Sequence, residues 1–263
     1  MSSVEYELAG DVAVVTLNRS AVYNAVDRAL AADLLTALRR AATESRALVL
    51  TGAGKAFCSG ADLADLAADY QKGGPDLAAV IEERFNPCIE ALLAVPLPTV
   101  AAVNGAAAGA GLGLALAADL RVGTEAAFFM SAFIQVGLIP DSGTTWLLPA
   151  MVGLSRAREM AATGRRVGAQ EAFDLGLLHR LVPADRLLSE ALELAAQLAD
   201  GPSHAFLATR RALLAGAASS LPEAFAYERR VQGELGTHPA HLGNNILDSP
   251  ERKDSSRSLW LPI

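Results

Sequence analysis

Val4, Tyr6 and Leu8 alternate with polar neighbours, and after Gly10-Asp11 the residues Val12–Leu17 form a nearly continuous apolar run. The opening therefore reads as two strands of a hairpin. A helix follows: Asp27 is a suitable N-cap, Leu30, Leu34, Leu35 and Leu38 recur at helical spacing, and Arg39 and Arg40 lie near the end. The same rhythm then repeats, with a strand over 47–51, a glycine-rich loop, a helical stretch over 77–93 and a strand over 99–103. A second glycine-rich loop spans 104–113, a short strand follows over 120–123, and Pro140 to Gly143 punctuate the chain before 144–148. Strands alternating with helices read as βαβ units around a parallel sheet. After Gly201-Pro202 the pattern turns helical, with candidates over 204–214 and 222–233. Three sections result: a core over 1–200, a helical section over 201–237, and a polar tail over 238–263 without helical periodicity.

Composition narrows the class. The chain is 263 residues long, 52% hydrophobic and 19% charged, which is a folded globule rather than a disordered chain. A net charge of −7 disfavours nucleic acid and anionic membrane as main partners, since both select for a basic face. Two cysteines, Cys58 and Cys88, give no disulfide framework and no metal-ligand spacing, and the N-terminus has no secretory signature; both point to the cytoplasm.

The candidate chemistry starts with the glycine-rich loops. Gly52-Ala53-Gly54-Lys55 lacks P-loop spacing, and Gly109-Ala110-Gly111-Leu112-Gly113 does not complete the dinucleotide fingerprint. Small residues between a strand and a helix nonetheless leave backbone N–H groups free to meet a ligand, and two such loops converging would make an oxyanion hole; a plain tight turn is the competing reading. Asp141, between Pro140 and Ser142-Gly143, reads as a turn residue or cap, with a catalytic role as the alternative. Asp62, Asp65 and Asp69 fit a solvated acidic helix face. The four histidines show no metal spacing and no serine sits in a nucleophile elbow, so neither zinc nor triad chemistry is expected; Cys58 reads as a small packed residue.

Over about residues 4–235 the chain resembles the enoyl-CoA hydratase/isomerase (crotonase) family. The motifs are VVTLNRSAVYNAVD at 14–27, LVLTGAGKAFCSGADL at 48–63, PLPTVAAVNGAAAGAGLGLALAADLRV at 96–122, VGLIPDSGTTWLLPAMVG at 136–153 and ATGRRVGAQEAFDLGLLHRLVP at 162–183. The resemblance implies an α/β fold: a ββα spiral with two near-perpendicular sheets and C-terminal helices that pack as a homotrimer or hexamer. It implies an acyl-CoA thioester substrate, with coenzyme A as part of the substrate and no separate cofactor or metal. The thioester oxygen would accept from the amides of Ala61 and Ala110. Ala21, Val22, Gly60, Asp62, Leu63, Gly109, Phe133 and Pro140 would bind substrate.

The departures from the family pattern narrow the activity. A hydratase needs two carboxylates, and the two family glutamate positions hold Gly113 and Phe133 here. A carboxylate stands instead at Asp141, and PDSGTTWLLP with ERFNPCIEALLAVPLP at 83–98 is similar to the epoxyphenylacetyl-CoA isomerase subgroup, whose aspartate at this position shuttles the proton. The expected activity is acyl-CoA isomerisation. A 2-enoyl-CoA hydratase and a non-catalytic acyl-CoA or RNA-binding relative are the alternatives. Phe129, Met130, Phe133 and Trp146 are candidates for an apolar acyl pocket, with core packing as the competing reading. Ser20 to Tyr23 replace the family's Pro and basic residue, leaving coenzyme A contacts to Arg19, Arg28 or Lys55.

Overall fold

The computed structural model describes residues 2–243. Its strands are β1 (Val4–Ala9), β2 (Val12–Leu17), β3 (Ala47–Gly52), β4 (Ala56–Cys58), β5 (Thr99–Val103), β6 (Ala106–Ala108), β7 (Leu120–Thr124), β8 (Phe128–Met130), β9 (Arg166–Gly168) and β10 (Arg180–Val182). They form a six-stranded sheet in the order β1-β2-β3-β5-β7-β10 and a four-stranded sheet in the order β4-β6-β8-β9. All neighbours are parallel except the β1/β2 hairpin and the β8/β9 pair. Three times the chain leaves the larger sheet and enters the smaller one within a few residues, from β3 to β4, β5 to β6 and β7 to β8. That repeated crossing makes the ββα spiral; the first glycine-rich turn, 52–54, lies at a sheet-to-sheet corner, whereas Gly109 to Gly113 lead from β6 into a helix.

The larger sheet is covered on both faces, which explains why its strands read as apolar runs rather than alternations. One set of side chains, Val12, Val49, Val100, Ala102 and Val122, packs on Leu187, Ala191, Ala195 and Ala199, spaced four apart along the helix Leu187–Asp200. The opposite set, including Ala13, Val15, Leu48, Leu50, Ala101 and Val103, shares a core with Leu30, Leu34 and Leu38 of the helix Arg28–Glu44. Asp27 caps that helix, accepting from the Leu30 N–H at 2.7 Å. The helix Ala110–Ala117 is buried at every residue and carries no charge, as a helix apolar on all sides must be.

Contacts divide the chain into two compact units, the first ending at Ser203 and the second beginning at His204. The second contains most of the helix Ser203–Ala217, the helix Leu221–Gly236 and the short helix Pro239–Gly243. Glu223 accepts from the Ser220 N–H at 2.8 Å at the start of the middle helix. His204 and His238 stack with ring centroids 3.9 Å apart. The reading of 238–263 as lacking helix is corrected over Pro239–Gly243, where the Pro supplies a helix-start φ; positions 244–263 lie outside the described residues.

Two departures from the sequence pattern matter for the site. The 77–93 stretch is not one α-helix: it runs Leu77–Val80, then a π-helical turn Ile81–Phe85, then Asn86–Ala94 with Pro87 in its first turn. The second glycine-rich segment is not all loop, since β6 occupies Ala106–Ala108 and a helix begins at Ala110.

Candidate active site

The corner between β3 and β4 is held by two asparagines. Asn24, fully buried, donates through Nδ2 to the carbonyls of Ala53 (2.9 Å), Ala56 (2.8 Å) and Phe57 (3.2 Å), and accepts from the Arg19 N–H at 2.9 Å. Asn104 donates to the carbonyls of Gly52, Gly54 and Ala56 at 2.8, 3.0 and 3.2 Å. Tyr23 and Asn24 both take positive φ, 55° and 57°, which an asparagine tolerates better than most residues. Removing the Asn24 amide strands several buried carbonyls at once. Asn24→Ala is expected to lower unfolding stability by about 3 kcal/mol in a urea titration.

Downstream of that corner the segment 56–62 runs between two flanking segments. On one edge, the Ser59 N–H donates to Tyr23 O (3.0 Å), the Val26 N–H to Gly60 O (2.7 Å) and the Asp62 N–H to Val26 O (3.0 Å). On the other edge lie β6 and the start of the helix Ala110–Ala117. Because Gly60 and Asp62 bond to Val26, the intervening Ala61 turns its N–H to the opposite edge. The Ala110 N–H opens a helix and, like that of Ala61, has no acceptor among the described residues. The two loops touch: a Cβ on Gly60 would lie 2.8 Å from Ala108 O and 3.3 Å from Ala110 N. Gly60 at φ +99° and Gly109 at φ +53° are conformations that L side chains rarely adopt, so glycine is required at both. Two free amides on adjoining segments, one at a helix start, can hold a developing negative charge on oxygen.

Asp141 lies at the start of the helix Thr144–Thr163 and accepts on Oδ1 from the Ser142 hydroxyl at 2.7 Å, while its carbonyl accepts from the Thr144 N–H at 2.9 Å. Burial pushes its carboxyl above the ordinary carboxylate range, and the Ser142 hydrogen bond only partly opposes that. Ser142 and Gly143 take successive positive φ values of 51° and 71°. Holding a non-glycine residue in that region stores strain, which the surrounding packing maintains. The Ser142 backbone presses on Gly113: a Cβ at 113 would collide with the Ser142 carbonyl oxygen and lie 2.9 Å from its Cβ. A small cavity of about 10 Å³ is bordered by Ala110, Leu114, Ser142, Arg84 and Cys88 among others.

The other sequence-derived candidates distribute unevenly. Ala21 and Val22 sit exposed on the turn Ser20–Val22, whose end touches the site strand where the Ser59 hydroxyl donates to Val22 O at 3.4 Å. Leu63 is exposed and Pro140 half-buried; Phe133 is buried in the turn Ala132–Val136. Phe129 belongs to the central core rather than a pocket wall, and Trp146 is half exposed. The reading of a solvated acidic face is corrected at Asp62, while Asp65 and Asp69 are exposed. Asp62 is only 9% exposed and pairs with Arg19 at 2.9 Å, and Asp65 pairs with Arg84 at 2.5 Å. Burial alone would raise the Asp62 carboxyl; Arg19 and the N–H groups of Ala64 and Asp65 outweigh it and hold it low.

The expectation that Arg19 serves coenzyme A is corrected too, because it bridges Asp27 (3.0 Å) and Asp62 and donates to Ala25 O. Arg28 pairs with Glu83 and Lys55 is exposed. Burial pushes the Cys58 and Cys88 thiols up to about 12, so neither supplies a thiolate nucleophile at neutral pH. Arg84 and Ser142 went unassigned in the sequence, and Arg19 was given a different role. Their signal was weak, since each became significant only through a partner distant in the chain or through a backbone angle.

A ββα spiral whose glycine turns after β4 and β6 bring two amides together, with a desolvated carboxylate at a neighbouring helix start, defines the class as a crotonase-fold enzyme. The chain belongs to the enoyl-CoA hydratase/isomerase family, whose model matches residues 7–243. It is 47% identical over 234 residues to "Probable enoyl-CoA hydratase" of Rhodobacter capsulatus, covering 89% of this chain and 90% of that protein. It is 36% identical over 227 residues to 1,2-epoxyphenylacetyl-CoA isomerase of Escherichia coli, covering 86% and 87%. The crystal structure of an enoyl-CoA hydratase from Polaromonas sp. JS666 superimposes with a TM-score of 0.85 at 33% identity, covering 93% of this chain and 95% of that one.

Proposed function

We propose that the protein isomerises acyl-CoA thioesters through an enolate, with the Ala61 and Ala110 amides on the thioester oxygen and Asp141 as the single proton carrier. The free carboxylate oxygen, Oδ2, takes a proton from one carbon of the enolisable chain. The C–H electron pair moves into the conjugated system and charge gathers on the thioester oxygen, where the two N–H groups favour it over the neutral carbonyl. The protonated Asp141 then returns the same proton to another carbon, and the carbonyl reforms. No water is consumed and no second acid is required. Burial of Asp141 brings its basicity closer to that of a useful general base. The exposed Ala21, Val22 and Leu63 lie at the rim, where the coenzyme arm would enter.

The observation that carries this reading is the packing at Gly113. Hydration calls for a second carboxylate, and the Ser142 backbone leaves no room for a side chain at this position. Gly113→Glu is therefore expected to yield misfolded or strongly destabilised protein rather than a hydratase, checked by product mass and thermal melting. A hydratase reading is favoured by the 47% identity to the Rhodobacter protein of that name. A panel of cis-3-enoyl, trans-2-enoyl and aromatic acyl-CoA thioesters separates the two. Migration of a double bond at constant mass supports isomerisation; a product heavier by one water overturns it.

A further inference from the structure

Ser142 takes φ +51° between Asp141 and Gly143, in the left-handed region that glycine enters without strain and serine does not. Its neighbour Gly143, at φ 71°, is the residue type such a backbone ordinarily carries. The serine is also buried, with only 2% of its surface exposed, and its hydroxyl has one partner among the described residues, Asp141 Oδ1 at 2.7 Å. A strained angle and a buried hydroxyl therefore coincide at one position, and the polar contact that distinguishes serine from glycine there is the bond to the carboxylate. An outlier of this kind, held by its surroundings, points to function. The surroundings do hold it: the Thr144 N–H closes the turn on Asp141 O at 2.9 Å, and the missing Cβ of Gly113 makes room for the Ser142 carbonyl oxygen. Asp141 Oδ2 accepts no hydrogen bond from the described residues.

We propose that Ser142 is the positioning residue of the proton carrier: by anchoring Oδ1 it leaves Oδ2 as the one oxygen that takes the substrate proton and returns it. The carboxylate then need not rotate between the two transfers. The C–H electron pair passes into the enolate when Oδ2 is protonated and forms the new C–H bond when Oδ2 gives the proton back. This inference rests on the reading of Asp141 as the base. Burial raises the Asp141 carboxyl, and the Ser142 hydroxyl is the group that opposes it. Other charges leave that balance alone. The segments Ala110–Ala117 and Ala132–Val136, packed on the helix Thr144–Thr163, carry no ionisable side chain. On the helix Asn86–Ala94, whose Ile89 faces Gly143, Glu90 is exposed and the Cys88 thiol, pushed up to about 12, is neutral. Arg84, which borders a small cavity with Ser142, is paired with Asp65.

The test follows exchange of the α-protons of phenylacetyl-CoA with deuterated solvent, read by mass as a function of pH. Ser142→Ala deletes the hydroxyl and keeps the Cβ; Ser142→Gly deletes it and relieves the backbone angle, and serves where the alanine variant does not fold. With the donor gone the carboxyl rises further, so the acid limb of the profile is expected to move to higher pH by about one unit. Above that limb kcat is expected to fall about tenfold with KM changed less than about twofold. A role in folding alone would lower the melting temperature and leave the acid limb in place. On an Asp141→Asn background, Ser142→Gly is expected to slow exchange no further, because the hydroxyl acts through the carboxylate. An acid limb at the wild-type pH in the glycine variant, or a further fall of the same size on the asparagine background, overturns the proposal and leaves Asp141 as the base. Full exchange by Asp141→Asn alone, or none by wild type, overturns the reading of Asp141 and this inference with it.

Discussion

Replacing Asp141 by Asn is expected to slow exchange of substrate α-protons with deuterated solvent by roughly 10³-fold, the middle of the range for a positioned general base. The same change is expected to stabilise the fold at neutral pH, and the two effects share one cause. Burial raises the Asp141 carboxyl above its ordinary value near 3.9, so the folded protein binds the proton more tightly than the unfolded chain does. A group raised in this way contributes stability fully present below the unfolded value and lost as pH rises through the folded value. At neutral pH the ionised carboxylate is therefore a strain on the fold that Asn removes, while the Ser142 hydroxyl keeps an oxygen acceptor at 141. Urea titrations should show the variant more stable than wild type at pH 7, with the gap closing as pH falls toward about 4. Activity of wild type should fall on acidification at a pH above the usual carboxylate range, since the proton-free form does the work. Full exchange activity in the variant, or an acid limb at an unshifted carboxylate value, would sink the assignment.

Legibility of these features in the sequence followed the range of the interactions involved. The hairpin, the Asp27 cap and the larger-sheet strands were visible because each is encoded in a window of neighbours: alternation in Val4–Ala9, apolar runs in Val12–Leu17 and Thr99–Val103, a cap followed by leucines four apart. The smaller sheet was not, because its strands are the three-residue segments AFC, AAA, FFM and RVG, too short to carry a period. Family motifs, rather than periodicity, pointed to the two amides, and the structure adds the reason for the glycines around them. The acidic run at 62–69 departs from one solvated helix face because Ala67–Tyr70 is the only helix described there and Asp62 is buried against Arg19, while Asp65, paired with Arg84, and Asp69 stay exposed. Arginine pairs of that kind join positions 19 to 43 residues apart and leave no local trace. Gly113 is the most instructive position. As a sequence letter it is a missing glutamate; in the fold its missing Cβ leaves room for the Ser142 carbonyl oxygen, and the Ser142 hydroxyl donates to Asp141.

The second large effect concerns an amide that no side-chain deletion can remove. Ala110→Pro deletes the N–H at the first helical position, where proline is well tolerated because that donor has no partner within the helix and its φ suits the first turn. The preceding residue permits it as well: Gly109, at φ 53° and ψ −125°, lies outside the α region that proline excludes for its predecessor. The fold should therefore survive while one of two oxyanion donors disappears, and kcat should fall by about 10² to 10³. Because the donor matters most once charge has developed, the loss should fall on kcat far more than on substrate affinity. Ala110→Gly is the control, since it keeps the N–H and costs only about 1 kcal/mol of helix stability. A proline variant that exchanges α-protons as fast as the glycine control would mean that charge gathers elsewhere, and the touching loops at Gly60 and Gly109 would then be a structural corner and nothing more.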